Sequence, residues 1–225
     1  QDVPAIVQAA HAHGVAVALD NTYAAGVMFD AFAHGVDISM QALTKYVGGH
    51  SDLLLGSVSA RDKQAYNKLG PIYQQLGLAV SPDDCSLALR GLHTLAVRLE
   101  VLERNTLEIA NWLADHPLVA QVLHPALPTC PGHAVWARDF SGSTSVFSFI
   151  FKETVTADRV VEFINQLQIF KIGMSWGGVN SLAVVYPDLQ RPNHDYGGRI
   201  VRLNIGLEKV EDLTGDLAQA MAALT

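Results

Sequence analysis

The sequence predicts an α/β chain in two parts: a portion of a large, mainly parallel sheet with its helices, then a small α+β domain with an open sheet. Three observations carry this prediction. Continuous apolar runs at residues 15–19 and 38–42 end in polar turns and read as strands buried on both faces, as in a parallel sheet. A long helical pattern begins at Ser81 and runs to about His116, where Pro117 stops it. From Val119 onward, short strands alternate with helices. The boundary is therefore placed after residue 116, giving parts 1–116 and 117–225. With about 150 residues per domain, the 225 residues suffice for one large domain and part of a second.

Composition excludes several classes of protein. The chain is 49% hydrophobic and 16% charged, which is incompatible with disorder. No apolar run reaches the roughly 18 residues of a membrane helix. The net charge is −7, and the six lysines and nine arginines do not cluster, so neither nucleic acid nor a membrane is an expected partner. Cys85 and Cys130 are too few for a disulfide framework and lack zinc spacing. A reducing, cytoplasmic setting is expected.

Each element has a local reason. Asp2 and Pro4 read as the cap and first turn of a helix that Gly14 ends. The run Val15 to Leu19 closes on Asp20, and Asn21, Thr22 and Tyr23 make a polar turn. Ile38 to Ala42 is the second strand, and Leu53 to Val58, with Gly56 inside it, the third. Arg61 to Leu69 is a short amphipathic helix. Ser81, Pro82, Asp83 and Asp84 give the clearest helix start: a capping hydroxyl, proline in the first turn and acids at the positive end of the dipole. Gly91 allows a bend in that helix without a full stop. Strands are expected at Val119 to Leu123, Val146 to Phe151, Leu182 to Val185 and Ile200 to Ile205. Helices are expected at His133 to Ala137, Ala157 to Leu167 and Glu211 to Ala223. The chain opens on Gln1 rather than Met, and its first strand has no crossover before it. A C-terminal piece of a longer protein is the expectation.

Lys45 is the leading candidate for chemistry. It follows the apolar run that ends at Leu43, with Thr44 between, and precedes Gly48 and Gly49. Partial desolvation would lower its pKa and free the amine as a nucleophile; the alternative is a strand-end lysine that snorkels to solvent. Asp20 ends a buried strand, where open α/β sheets bind ligands; the alternative is a turn former for the next residues. Together the two are more specific. An amine that condenses with an aldehyde, and an acid for a cationic ring nitrogen, are what pyridoxal phosphate needs. His11 and His13 are spaced so that they do not share a helical face, and no metal site is expected. Neither a Walker loop nor a Gly-x-Ser-x-Gly elbow is present.

The stretches Asp20-Asn21-Thr22-Tyr23 and Thr44-Lys45-Tyr46-Val47-Gly48-Gly49-His50-Ser51-Asp52 resemble the signature of the Cys/Met-metabolism family of pyridoxal-phosphate enzymes. The resemblance continues through His124-Pro125-Ala126-Leu127-Pro128, Ser175-Trp176-Gly177-Gly178 and Arg202-Leu203-Asn204-Ile205-Gly206-Leu207-Glu208, in family order. The Ser-Trp-Gly-Gly run is similar to the bacterial β-lyase branch that cleaves cystathionine, since γ-acting relatives usually carry Leu at the Trp176 position.

The resemblance implies the PLP-dependent transferase type I fold, with this chain covering the C-terminal part of the large domain plus the small one. It implies that Lys45 carries the cofactor and acts as the catalytic base, that Asp20 pairs with the ring nitrogen, that Thr22 packs on a ring face, and that Thr44 donates to the phosphate. Ser175 and Arg202 would hold the substrate carboxylate, with Trp176 lining the same region; an arginine fork suits a carboxylate. Read locally, Arg202 is a surface ion-pairing residue and Trp176 is equally well a core residue. The implied reaction is β-elimination of L-cystathionine to homocysteine, pyruvate and ammonia by a homo-oligomer, a dimer of dimers. Alternatives are a γ-lyase or γ-synthase of the same family, a non-catalytic binding or regulatory protein, and a cofactor-free aldolase using Lys45. Two positions depart from the family: Ala42 where Ser is frequent, and Asn180 where many relatives have Glu. The family's glycine-rich phosphate turn, its ring-stacking tyrosine and the residues lent by a neighbouring subunit have no match within the sequence.

Overall fold

The computed structural model describes residues 1–191 and 194–224. They form two compact units: Gln1–Leu95 with Ala137–Gly142, and Ala96–Trp136 with the chain from Ser143 onward. The expected boundary after residue 116 lies C-terminal to this division, because most of the long helix packs into the core of the second unit.

The first unit opens with α1 (Val3–Ala12), capped by Asp2, whose carboxylate accepts the Ala5 N–H at 3.2 Å. Gly14, at φ +68°, turns the chain so that the Val15 N–H donates back to Ala10 O. That bond takes Val15 out of the strand. Val17 follows it out, since its N–H donates to the Asp37 carboxylate at 2.8 Å. The first strand, β1, is thus only Ala18–Asp20, and both of its end residues are exposed. This corrects the expectation of a longer strand buried on both faces. Among the described residues β1 is the edge of a three-stranded sheet, with β2 as its one neighbour. Asp37 also meets His11 at 2.8 Å and Arg61 at 3.0 Å, and the Val17 N–H, ahead of His11, holds its carboxyl below the usual range.

β2 (Ile38–Ala42) lies parallel to β1, and β3 (Gly56–Ala60) runs antiparallel to β2. The sheet is therefore mixed here rather than parallel throughout. The link from Ala42 to Gly56 contains turns and no helix, too little for the crossover that a parallel pair requires. The third strand also starts later than expected, because Leu55 bonds to Thr44 and stays out of the ladder. α2 (Lys63–Gln75) is longer than its sequence signal, passes through Pro71 and buries none of its residues. The predicted long helix is two: α3 (Pro82–His93), capped by the Ser81 hydroxyl, and α4 (Leu95–Ala114). They part at Thr94, whose N–H reaches back to Gly91 O and tightens the last turn of α3. A small core of Val3, Val7, Ala24, Phe29, Ala31 and Val36 is completed by Phe140, whose ring lies 4.8 Å from that of Phe29.

The second unit is built on β4 (Val119–Leu123), β5 (Val146–Phe151), β6 (Lys171–Ile172), β7 (Leu182–Val185) and β10 (Ile200–Asn204), in the order β4-β5-β10-β7-β6. The small strands β8 (Gln190–Arg191) and β9 (His194–Asp195) pair with one another. β6, β8 and β9, two residues each, carry no sequence signal. α5 (His133–Asp139), α6 (Ala157–Gln166) and α7 (Val210–Ala222) match the expected helices within two residues at each end. Ile109, Ala110 and Leu113 of α4 join Phe149, Phe151 and Phe163 in one apolar core. Phe163 meets Phe149 and Phe151 edge-on, at 6.2 and 5.2 Å. β10 lies at the centre of the sheet, between antiparallel neighbours on both sides.

Candidate active site

Asp20, Thr22, Thr44 and Lys45 are gathered in the first unit, around the ends of β1 and β2. Parallel pairing sets Asp20 opposite Met40, so the acid ends its strand just before β2 reaches Ala42. Asp20 Oδ1 accepts the N–H of Thr22 at 3.0 Å and its hydroxyl at 2.5 Å. The same hydroxyl accepts the Ala42 N–H at 2.9 Å. Thr22 therefore bridges the two strand ends with both capacities of one oxygen. Its burial and these bonds explain a threonine here without reference to a ring. Asp20 is exposed, and its Oδ2 accepts no hydrogen bond among the described residues. One carboxylate oxygen is anchored and the other is presented.

Lys45 lies in the turn that follows β2. Its N–H donates to Ala42 O at 3.1 Å, and its carbonyl accepts the Gly49 N–H at 2.7 Å. The side chain is half-buried. Thr44 pins the far end of the turn: its hydroxyl donates to Leu55 O at 3.3 Å and accepts the Leu55 N–H at 3.1 Å. The Nδ1–H of His50 donates to Gly48 O at 2.7 Å, and Arg90 of α3 meets Asp52 at 2.8 Å. The backbone of α3 comes so close at Gly91 that a Cβ there would overlap the carbonyl oxygens of Val47 and Gly48. The lysine turn is thus held from Leu55, just before β3, and from α3.

Ser175, Trp176 and Arg202 lie in the second unit. Ser175 is exposed and Trp176 half-buried, in the loop between β6 and β7. Arg202, on β10, donates through Nη2 to Met174 O at 2.5 Å, and its guanidinium carbon lies 5.7 Å from the Tyr186 ring centroid. Sequence reasoning missed the residues that hold this loop. Asn204 bonds Gly177, Asn180 and Ser145. Glu208 accepts the Ser181 N–H and hydroxyl, each at 2.8 Å. A signal existed: Val201, Leu203 and Ile205 alternate with Arg202 and Asn204, which puts two polar residues on one face of a central strand.

An exposed acid with one unengaged oxygen, at the end of a strand whose parallel neighbour leads into a lysine, fits pyridoxal phosphate. Asp20 suits its ring nitrogen and Lys45 its aldehyde. Sheet, turn and donor set together define a chain of the pyridoxal-phosphate class. The sequence pattern described as Cys/Met metabolism PLP-dependent enzyme matches residues 1–222, and the chain belongs to that family. It is 43% identical to a putative cystathionine beta-lyase of Rhizobium johnstonii, over 99% of this chain and 57% of that protein. It is 39% identical to cystathionine beta-lyase MetC of Escherichia coli, over 99% of this chain and 58% of that one. Among solved structures, cystathionine gamma synthase from Xanthomonas oryzae pv. oryzae, in complex with aminoacrylate and cysteine, superposes with a TM-score of 0.90 at 34% identity, covering 99% of this chain and 59% of that one. The chain thus spans a little under three-fifths of the length of these relatives.

Proposed function

We propose that the chain serves the β-elimination of L-cystathionine, which with one water gives homocysteine, pyruvate and ammonia. The observation that carries the reading is the anchored, outward-presented Asp20 beside the Lys45 turn. Similarity to proteins named cystathionine beta-lyase at 43% and 39% identity supports β- over γ-chemistry.

Lys45 and Asp20 would hold pyridoxal phosphate, with Thr22 against the ring as well as behind the acid, and Thr44 as a phosphate donor once its hydroxyl turns away from Leu55 O. When bound, the cofactor supplies an electron sink for the pair left behind when Cα loses its proton. Asp20 keeps a proton on the ring nitrogen, which deepens that sink. The Lys45 amine takes the Cα proton as general base and returns one to the departing sulfur. Arg202 and Ser175 bind the substrate carboxylate, and Trp176 lines the same region. The Met174 carbonyl takes one Arg202 donor, which leaves the rest of the fork for a carboxylate. A homo-oligomer, a dimer of dimers in the cytoplasm, completes the reading.

A γ-elimination or γ-synthase reading is favoured by the gamma synthase likeness. Product analysis separates the two, since β-elimination yields pyruvate and γ-elimination 2-oxobutyrate. The first test is intact mass after incubation with pyridoxal phosphate and borohydride reduction. The expected result is one adduct, mapping to Lys45. In the full-length protein, Lys45→Ala should abolish pyruvate release from cystathionine; retained release would remove Lys45 from the chemistry.

A further inference from the structure

The loop that carries Ser175 and Trp176 is held from one strand. Side chains alternate along β10: Val201 and Leu203 enter the core, while Arg202 and Asn204 share the other face. Arg202 donates to Met174 O at 2.5 Å, and Asn204 Oδ1 accepts the Gly177 N–H at 2.8 Å. These two bonds fall immediately before and immediately after the pair Ser175–Trp176. Asn204 is 1% exposed and makes two further hydrogen bonds. Oδ1 also accepts the Ser145 hydroxyl at 2.8 Å, and Nδ2 donates to Asn180 O at 3.0 Å.

We propose that Asn204 is a positioning residue for recognition of the substrate carboxylate. It acts through the loop: by holding Gly177 and Asn180 it fixes Ser175 and Trp176 at a set distance from Arg202, two residues away on the same face. The inference rests on the reading of Ser175 and Arg202 as the carboxylate site. An amide suits the post because it offers an acceptor and a donor at once. An apolar residue of similar size leaves the buried Gly177 N–H unpaired, and the loop shifts to satisfy it. Arg202 shares that loop through Met174, so a shift would re-aim the guanidinium too.

The test uses the full-length protein loaded with pyridoxal phosphate, as parent and as Asn204→Leu. With L-cystathionine, KM should rise roughly tenfold or more while kcat stays within about threefold, since a uniform binding interaction is lost. Cofactor absorbance should be unchanged, because Asp20 and Lys45 belong to the other unit. An unaltered KM overturns the proposal, and so does a fall in kcat at constant KM. Should Asn204→Leu not fold, Asn204→Ser carries the same expectation and the same overturning results. Failure of the β-elimination reading looks different, since the parent itself then releases no pyruvate. In that case titration of cofactor absorbance with L-alanine and with ethylamine decides. Weaker L-alanine binding by the variant, with equal ethylamine binding, supports the role; equal L-alanine binding overturns it.

Discussion

Asp20 and His124 show at the residue scale that partners, more than residue type, set what a group can do. Asp20 has one oxygen committed to Thr22 and one presented outward, so it is oriented and still available. The sequence marks Asp20 by its place after an apolar run, but the anchoring hydroxyl is visible only once Thr22 and Ala42 are seen together. His124 is fully buried against Phe147, and its Nδ1 accepts the Ala126 N–H at 3.2 Å. The proton is therefore on Nε2, which has no partner among the described residues. Burial pushes its pKa down from 6.5 to about 4. As pH falls, the unfolded chain takes up this proton first. The stability tied to neutral His124 is thus complete above about 6.5 and is lost on acidification towards about 4, on the order of 3 kcal/mol. Asp37, held below the carboxylate range by the Val17 N–H, gives way only at still lower pH. His124→Asn keeps an acceptor for the Ala126 N–H, as an Asx turn does, but does not titrate. Denaturant unfolding of this variant between pH 7 and pH 4.5 should show a flatter stability profile than the parent. An unchanged slope would remove His124 from the pH response.

At the scale of elements, two helical glycines make opposite predictions. A Cβ at Gly91 would overlap backbone oxygens of Val47 and Gly48, and neither side can yield cheaply. Gly91→Ala should therefore destabilise the protein by about 2 kcal/mol or more, and should loosen the lysine turn that α3 supports. Loss of protection in amide exchange at residues 45–49 would be the signature. Gly215, exposed in α7, would meet nothing within 4 Å. Gly215→Ala should stabilise by roughly 0.5–1 kcal/mol through helix propensity and the unfolded state, read as slower exchange in α7. Sequence pattern places Gly91 inside a helix and allows a bend. It does not reveal that the helix backbone touches the Lys45 turn there, because that neighbour is over forty residues earlier. The direction of β3 was equally hidden, since apolar content does not encode whether a partner strand runs up or down. What decides it is the short link from Ala42 to Gly56 and the use of Leu55 by Thr44.

At the largest scale, the described residues form two compact units, each with its own apolar core. The larger of these cores depends on aromatic side chains from β5 and α6. Phe163 is fully buried with both Phe149 and Phe151 against it. Phe163→Ala should cost about 3–5 kcal/mol, seen by calorimetry as a lowered melting temperature and by amide exchange as lost protection in β5, β10 and α7. A loss under 1 kcal/mol would mean that the site collapses to fill the gap. The sequence reads this unit well because its strands are short, apolar and regularly spaced: β4, β5 and β7 lie where the pattern puts them. The first unit is read less well at its edges. There, Gly14, Asp37 and Thr44 divert backbone donors into caps and side-chain bonds, which hydrophobic periodicity does not register.

The sequence by itself determined the family, the cofactor class and the candidate residues for its chemistry. Those are carried by local runs whose spacing survives in one dimension, such as Thr44 to Asp52 and Arg202 to Glu208. Tertiary structure alone decided which oxygen of Asp20 is presented, what α3 does for the lysine turn and why Asn204 is an amide. Each of these rests on a hydrogen bond or a close approach between residues far apart in the chain. A buried polar group must find such a partner wherever the fold supplies one.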